Sequence, residues 1–326
     1  MEEKITPEAL MKIANSRWVL KTVITAIELE IFAKTSQGKT TLKELSESLN
    51  ANKISLEKFL NTLVALDFLK KEDNKYINTP LSDNFLVKTK PSYFGDLMLM
   101  AVKSKTWDYL KDCVITNKPI GINVEKKVFS QATFTKAMHN NAVGPANALS
   151  NLIDFSKYSN LLDIGGGSGA YSIILTNKYP KLKTTILELP AVCKVTKEFV
   201  NKLGDNKKIK IIAKDYLNEE FEKNYDVVLL AQILHSHGTE TCKKLLKKIY
   251  NILPKNGLLI INDFLLNKDK TSPIYPALFN LMMMMEGEGA AYTSGEIIIW
   301  LKEIGFKDIK IKPLTGPVTS IIAKKY

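Results

Sequence analysis

Leu161-Leu162-Asp163-Ile164-Gly165-Gly166-Gly167-Ser168-Gly169-Ala170-Tyr171 is the stretch on which the fold turns. An apolar run ends in an acid, gives way to glycines, and resumes as a helical pattern over Ala170–Lys178. A strand, a glycine loop and a helix in that order make a nucleotide-type binding turn, because glycine lets the chain turn tightly and lets a ligand approach the backbone. Downstream, short apolar runs alternate with helical patterns. The runs are Leu161–Ile164, Thr184–Leu187, Ile209–Ala213, Val227–Ala231 and Leu258–Ile261. The helices are Ala170–Lys178, Ala191–Leu203 and Thr239–Leu253. That alternation predicts a mostly parallel sheet with helices on both faces. Ile309–Ile311 and Val318–Ala323 close the series with little between them, so a final hairpin with an antiparallel last strand is expected.

Working back toward the N-terminus, residues 101–157 read as a helical bridge, with Trp107, Phe129, Phe134 and Met138 as large apolar anchors. Before it, a helix from about Pro7 to Phe32 carries apolar residues at helical spacing. Thr41 to Glu44 forms a capping box, and a second helix is expected from Leu56 to Leu69, opened by Ser55. A polar turn within Lys70–Ile77 then suggests a hairpin. Helix, turn, helix and hairpin make a winged-helix pattern. The expected domains are therefore 1–100 and 101–326, the second made of the 101–157 bridge and a Rossmann-like core over 158–326.

Composition narrows the classes. The 326 residues suit two domains at roughly 100–200 residues each, and 45% hydrophobic residues supply a full core. No apolar run approaches the ~18 residues of a membrane span, and the start of the chain does not read as a signal peptide. Cys113, Cys193 and Cys242 stand far apart, as in a reducing cytoplasm. The net charge of +12 is spread along the chain as lysine and reads as solvated helix faces.

Three acids follow three successive strands. Asp163 precedes the glycine loop, Glu188 ends the second strand and Asp215 follows the third. A carboxylate in Asp163's place would repel a pyrophosphate and attract a cationic sulfonium or ammonium. Glu188 can accept ribose hydroxyls, and Asp215 lies where an adenine amino group would sit. The same glycines satisfy a GxGxxA dinucleotide pattern (Gly165, Gly167, Ala170), so a nicotinamide cofactor is a rival reading.

Two of the three histidines fall in Leu234-His235-Ser236-His237-Gly238, after the fourth strand. Histidine suits general base work near neutral pH. Full proton transfer from a phenol of pKa about 10 to a histidine of about 6.5 is uphill by about 5 kcal/mol in water, and an adjacent sulfonium offsets part of that. Asp263, at the end of the fifth strand, is the candidate to hold His235 in one tautomer. The His-x-His pair has no evident third ligand, so no metal is expected. Met282–Met285 lie in an apolar helix suited to gripping a flat aromatic surface.

The ordered set Leu161–Gly169, Glu188-Leu189-Pro190, Asp215-Tyr216, Ile233-Leu234-His235, Leu253-Pro254 and Asp263 resembles the class I O-methyltransferases with a dimerisation domain, of the caffeic-acid and acetylserotonin type. The resemblance runs over essentially the whole chain. It implies a Rossmann-like α/β methyltransferase sheet behind an N-terminal winged-helix domain that pairs two subunits. It implies that Asp163, Gly165, Gly167, Ser168, Gly169, Glu188, Leu189, Asp215 and Tyr216 hold S-adenosylmethionine, which leaves as S-adenosylhomocysteine. It makes His235 the general base with Asp263 behind it, and lines the acceptor pocket with Phe129, Phe134, Met138, Met282 and Met283. The implied reaction is methylation of a hydroxyl on a small aromatic metabolite by a cytoplasmic homodimer without metal, nucleic acid or membrane. The chain departs from the pattern after the histidine, where the family's acid and tryptophan are Ser236 and His237. It departs again at Ala231 in place of lysine, and at Ala291 where a second glutamate often stands, with Glu286 and Glu288 nearby. N- or C-methylation on the same fold stays open, as does a winged-helix regulator that senses S-adenosylmethionine. Against the regulator, Leu56–Leu69 is largely apolar, unlike a helix that reads base edges.

Overall fold

A computed structural model describes residues 6–119 and 129–326. The stretch 120–128 of the expected helical bridge lies outside the described residues. The chain divides into two compact units, one ending at Lys103 and one beginning at Ser104.

The first unit comprises α1 (Glu8–Glu28), α2 (Ile31–Thr35), β1 (Thr40–Thr41), α3 (Leu42–Leu49), α4 (Lys53–Ala65), β2 (Leu69–Glu72), β3 (Lys75–Asn78), α5 (Pro80–Phe85) and α6 (Gly95–Lys103). The expected first helix is broken, because Glu30 takes a left-handed φ of 55° and restarts the chain as α2. The capping box forms as expected, Thr41 and Glu44 each bonding the other's backbone N–H. The next helix starts earlier than the expected Ser55. Asn52 Oδ1 accepts from both Ile54 N and Ser55 N, so it is the cap. It also ends earlier, at Ala65, since Asp67 has a left-handed φ of 58° and leads into the hairpin. Asp73 and Asn74, both left-handed, make the turn between β2 and β3. β1 pairs with β3 to complete a three-stranded wing. The core beneath gathers Val23, Ile27, Phe32, Leu45, Leu60, Leu63 and Tyr76.

The second unit opens with α7 (Leu110–Thr116) and α8 (Gln131–Leu152), then runs β4 (Asn160–Ile164), α9 (Ala170–Lys178), β5 (Lys183–Glu188), α10 (Pro190–Leu203), β6 (Ile209–Ala213), β7 (Val227–Ala231), α11 (Thr239–Ile252), β8 (Leu258–Phe264), α12 (Ile274–Glu286), α13 (Ser294–Ile304), β9 (Phe306–Thr315) and β10 (Val318–Lys325). The sheet order is β6-β5-β4-β7-β8-β10-β9. β4 to β8 are parallel neighbours, and β10 is antiparallel to both β8 and β9. Period-two alternation splits the buried residues between two faces. Leu161, Val227, Leu229, Leu258 and Ile260 pack under α8 and α9. Leu162, Ile164, Val228, Leu230, Leu259 and Ile261 pack with α11 and α13 on the other. Among the described residues, no helix is long and apolar enough to cross a membrane.

Candidate functional site

The sheet order reverses between β4 and β7, and all the parallel strands end at the same edge. That edge is where an open α/β sheet leaves a crevice for a ligand. The glycine loop crosses it. Gly165, Gly167 and Gly169 have φ of 64°, 56° and 80°, a backbone that other residues adopt only with strain. Gly166 is held to hydrogen by contact alone, since a Cβ there would lie 2.8 Å from Asp163 Oδ2. At Gly167 a Cβ would meet nothing within 4 Å, so this turn faces open space.

Asp163 is 1% exposed beneath the loop. Ser172 Oγ donates to its Oδ2 at 2.7 Å, while Oδ1 is buried with no partner among the described residues. Burial pushes its carboxyl up to about 6; the Ser172 hydrogen bond opposes the rise and Glu188 adds to it. An unpaired buried acceptor costs about 1–3 kcal/mol, a cost that a cationic ligand would remove. Glu188, also buried, ends β5 with both oxygens engaged. Gly167 N donates to Oε2 and Leu189 N to Oε1, each at 2.7 Å. Burial raises its pKa, and these two N–H groups pull it back. The loop is tied down again by Thr196 Oγ1, which donates to Gly167 O at 2.6 Å. Asp215 caps its own turn, accepting from Leu217 N at 2.9 Å and Asn218 Nδ2 at 2.7 Å. Lys248 Nζ donates to the carbonyls of Tyr216, Leu217 and Glu219, fixing the loop after β6.

His235 sits in a single 3-10 turn (Leu234–Ser236) after β7 and is 8% exposed. Its Nδ1 lies 2.6 Å from Asp263 Oδ1, and Phe264 N also donates to that oxygen at 2.9 Å. His235 N donates to Asp263 Oδ2 at 3.3 Å, so ring and backbone are held by one carboxylate. The arrangement fixes the tautomer with the proton on Nδ1 and leaves Nε2 as the basic atom. Phe279 of α12 meets the imidazole edge to face at 4.7 Å, and Phe264 and Tyr275 extend the aromatic wall. Met282 and Met283 lie three and four residues beyond Phe279, on the same face of α12. Met283 is buried and Met282 partly so. Gly289 backs directly onto the His235 carbonyl, where no side chain would fit. Phe134, expected as a bridge anchor, is instead 44% exposed on α8; Met138 and Phe129 are half-buried. Trp107, also expected as an anchor, is exposed.

His237 is held in a hydrogen-bonded pair. Its Nε2 pairs with the Tyr216 hydroxyl at 2.8 Å, and the Tyr292 hydroxyl donates to its carbonyl at 2.6 Å. Burial, then the neighbouring His235, lowers its pKa.

Sequence reasoning passed over three groups. Phe264, Tyr275 and Phe279 stand in apolar stretches without a motif to single them out. Gln232 holds a left-handed φ of 59° at the end of β7. His139, on α8, touches Ser168 Oγ through Nδ1 at 2.7 Å and stacks on Phe199 at 3.9 Å. Burial lowers its pKa to about 4, so it is neutral at pH 7. The polar run His139-Asn140-Asn141 midway along a mixed helix gave no distinct signal.

Comparison with known proteins fits this geometry. The family model described as "O-methyltransferase domain" matches residues 107–307, and the one described as "O-methyltransferase dimerisation domain" matches residues 11–88. A 3-hydroxy-5-methyl-1-naphthoate 3-O-methyltransferase from Streptomyces sahachiroi is 28% identical, covering 95% of this chain and 92% of its own. The tetracenomycin polyketide synthesis 8-O-methyl transferase TcmO from Streptomyces glaucescens is 26% identical over 98% of this chain and 97% of its own. Human N-acetylserotonin methyltransferase, solved with SAM, superposes with a TM-score of 0.87 at 22% identity, covering 99% of each chain, and shares the fold.

Proposed function

The chain belongs to the O-methyltransferase family, in its catalytic and its dimerisation domain alike, and from that premise we propose that it moves a methyl group from S-adenosylmethionine to a hydroxyl of a small aromatic metabolite, with His235 as general base. When bound, S-adenosylmethionine supplies an electrophilic methyl on a sulfonium. The residues fit it. Asp163 presents an unpaired buried carboxylate oxygen to a cation. Glu188, held by two amides, keeps lone pairs for the ribose hydroxyls. The open, left-handed turn at Gly167 lets a nucleoside lie against backbone. We assign Gly165, Ser168, Gly169, Leu189, Asp215 and Tyr216 to the same donor site. The acceptor wall is Phe279, Tyr275, Met282 and Met283, with Phe129, Phe134 and Met138 contributed from the α8 side.

The observation that carries the catalytic reading is the 2.6 Å contact between His235 Nδ1 and Asp263 Oδ1. It aligns Nε2 to take the acceptor's proton, and Asp263 stabilises the imidazolium that forms. Asp263 is a positioning residue in this scheme. The acceptor is a flat hydroxylated ring, because an edge-on imidazole between aromatic walls suits such a ring. The protein works as a homodimer through its first unit. Its three free thiols support a reducing cytoplasm.

The test is methyl transfer from labelled S-adenosylmethionine to a panel of hydroxynaphthoates and hydroxyindoles, beside titration with S-adenosylhomocysteine. His235→Ala should cut kcat by about 10²–10⁴ and leave S-adenosylhomocysteine binding intact. A small effect of that substitution, with transfer to amines, would select N-methylation instead.

A further inference from the structure

His235 stands in a 3-10 turn of only three residues, Leu234–Ser236. Ser236 N donates to Ile233 O and His237 N to Leu234 O, each at 3.1 Å. So short a helix does not hold itself, because its last carbonyls find no partner within it. Donors come from outside. The Tyr292 hydroxyl donates to His237 O at 2.6 Å. Cys242 Sγ, in the first turn of α11, points its one proton between Leu234 O at 3.2 Å and His237 O at 3.5 Å. A thiol is a weak donor and a hydroxyl a good one, so Tyr292 is the main hold on the His237 carbonyl.

Tyr292 is itself fixed. It is buried, and its ring meets Trp300 of α13 edge to face at 4.8 Å. Its carbonyl accepts from Leu266 N at 3.0 Å, two residues beyond the end of β8, the strand that carries Asp263. Burial, and then Cys242, pushes its hydroxyl up to about 12, so it stays a donor across the working pH range. Just upstream, Ala291 N donates to Asn280 Oδ1 at 2.9 Å. Asn280 neighbours Phe279, whose ring meets the His235 imidazole at 4.7 Å. The segment Gly289–Tyr292 is therefore tied to the His235 turn, to the chain leaving β8 and to the helix of the aromatic wall.

We propose that Tyr292 is a positioning residue for methyl transfer: its hydroxyl, by holding the His237 carbonyl, sets the turn that aims His235 Nε2 at the acceptor. The proposal rests on the reading of His235 as general base. Asp263 holds the imidazole and the His235 N–H, and Tyr292 holds the far end of the same turn. Proton transfer depends on near-linear alignment, so both points are needed. Tyr292 keeps its own proton throughout. A misaimed base slows the reaction only where the acceptor has a proton to lose, which separates this role from packing.

The experiment is steady-state kinetics of the full chain at pH 7.5 with wild type, Tyr292→Phe and His235→Ala. The acceptors are a hydroxynaphthoate or hydroxyindole that is turned over and its polyfluorinated analogue, whose hydroxyl is largely ionised at that pH. Tyr292→Phe should cut kcat about tenfold on the first acceptor, as a displaced catalytic group does, and leave KM for S-adenosylmethionine unchanged. The loss should vanish on the ionised acceptor. Should Tyr292→Phe fail to fold in thermal melts, Cys242→Ala removes the other donor to the same carbonyl and should show the same pattern at smaller size. An equal loss on both acceptors, or no loss, overturns the role of Tyr292; the base reading stands if the His235→Ala loss still depends on acceptor acidity. A His235→Ala loss that ignores acceptor acidity overturns the base reading, and the role of Tyr292 falls with it. A wild type that methylates no hydroxyl acceptor overturns both.

Discussion

Asp163 is the buried acid next to the glycine loop. Its carboxyl, pushed by burial up to about 6, is the charged partner of a cationic ligand only above that pH. S-adenosylhomocysteine affinity should therefore hold from pH 8 to about 6.5 and fall as the pH drops through about 6. One proton limits the fall to about tenfold per pH unit; calorimetry across that range checks it, and a flat profile would sink it. The fold obeys the opposite sign. A carboxyl whose folded pKa lies above its unfolded value contributes stability that is full below about 3.8 and lost as the pH rises through about 6. His139 counters it: its contribution is full above about 6.5 and lost as the pH falls through about 4. Each shift is worth on the order of 3 kcal/mol. Melts of Asp163→Asn should thus show an advantage over wild type that shrinks as the pH is lowered from 7.5 to 4.5. His237 invites a separate test. Its Nε2 meets the Tyr216 hydroxyl of the loop after β6, and the turn before it carries His235. His237→Phe should raise KM for S-adenosylmethionine several-fold with a smaller change in kcat, and His237→Asn should recover part of the loss. At this scale the acids and His235 drew notice because each stands at or just after the carboxyl end of a strand in a series that opens with a glycine run. His139 did not, since one histidine on a helix carries no pattern until the fold brings Ser168 to it.

Among the elements, the glycine loop separates two kinds of constraint. Gly167→Ala meets no neighbour but must hold φ 56°, a strain of about 1 kcal/mol. It should fold and lose S-adenosylhomocysteine binding, since the new methyl occupies the space a ligand needs. Gly166→Ala presses on Asp163 instead, and its melting temperature should drop further than that of Gly167→Ala. Thermal melts beside titration distinguish the two. Strands β4, β5, β7 and β8 were readable because they are buried and their apolar runs are nearly unbroken. By contrast, β9 extends well beyond the expected Ile309–Ile311 along a largely exposed, lysine-interrupted run, and α13 carried no expectation. Helix ends were harder. Ser55 and Asn52 are both good caps, and the choice fell to Asn52, whose side chain reaches two backbone N–H groups. Glu30 breaks the first helix with a left-handed turn that its residue type does not announce.

For the whole molecule, the first unit presents an exposed apolar face on α1. Leu10, Ile13 and Trp18 of α1 are each about 70% exposed. Beside them, Met11, Val19, Leu20, Val23, Phe68 and Met98 line a groove of about 690 Å³. Patches of this kind mark association surfaces. Trp18→Glu with Ile13→Glu should convert a dimer to monomer in sedimentation velocity and leave the melting of the second unit's sheet unchanged. A dimer that survives the pair would place the interface elsewhere. The periodicity of α1 was plain in the sequence, yet a moment alone does not say whether its apolar face is covered by the same chain or by a second copy.

β10, finally, is wedged between β8 and β9 and runs against both. Thr319 is the partner of Asp263, and Ser320 bonds the neighbouring Asn262. The ribosome therefore delivers the strand that braces the carboxylate hydrogen-bonded to His235 after the carboxylate itself. Until β10 is released, β8 has an open edge and β9 has nothing to join. The nascent chain can shape its nucleoside crevice early, but it cannot become a working catalyst before its closing strand arrives. A premature stop only a few residues upstream of Val318 would leave an edge prone to aggregation rather than a slightly weaker enzyme.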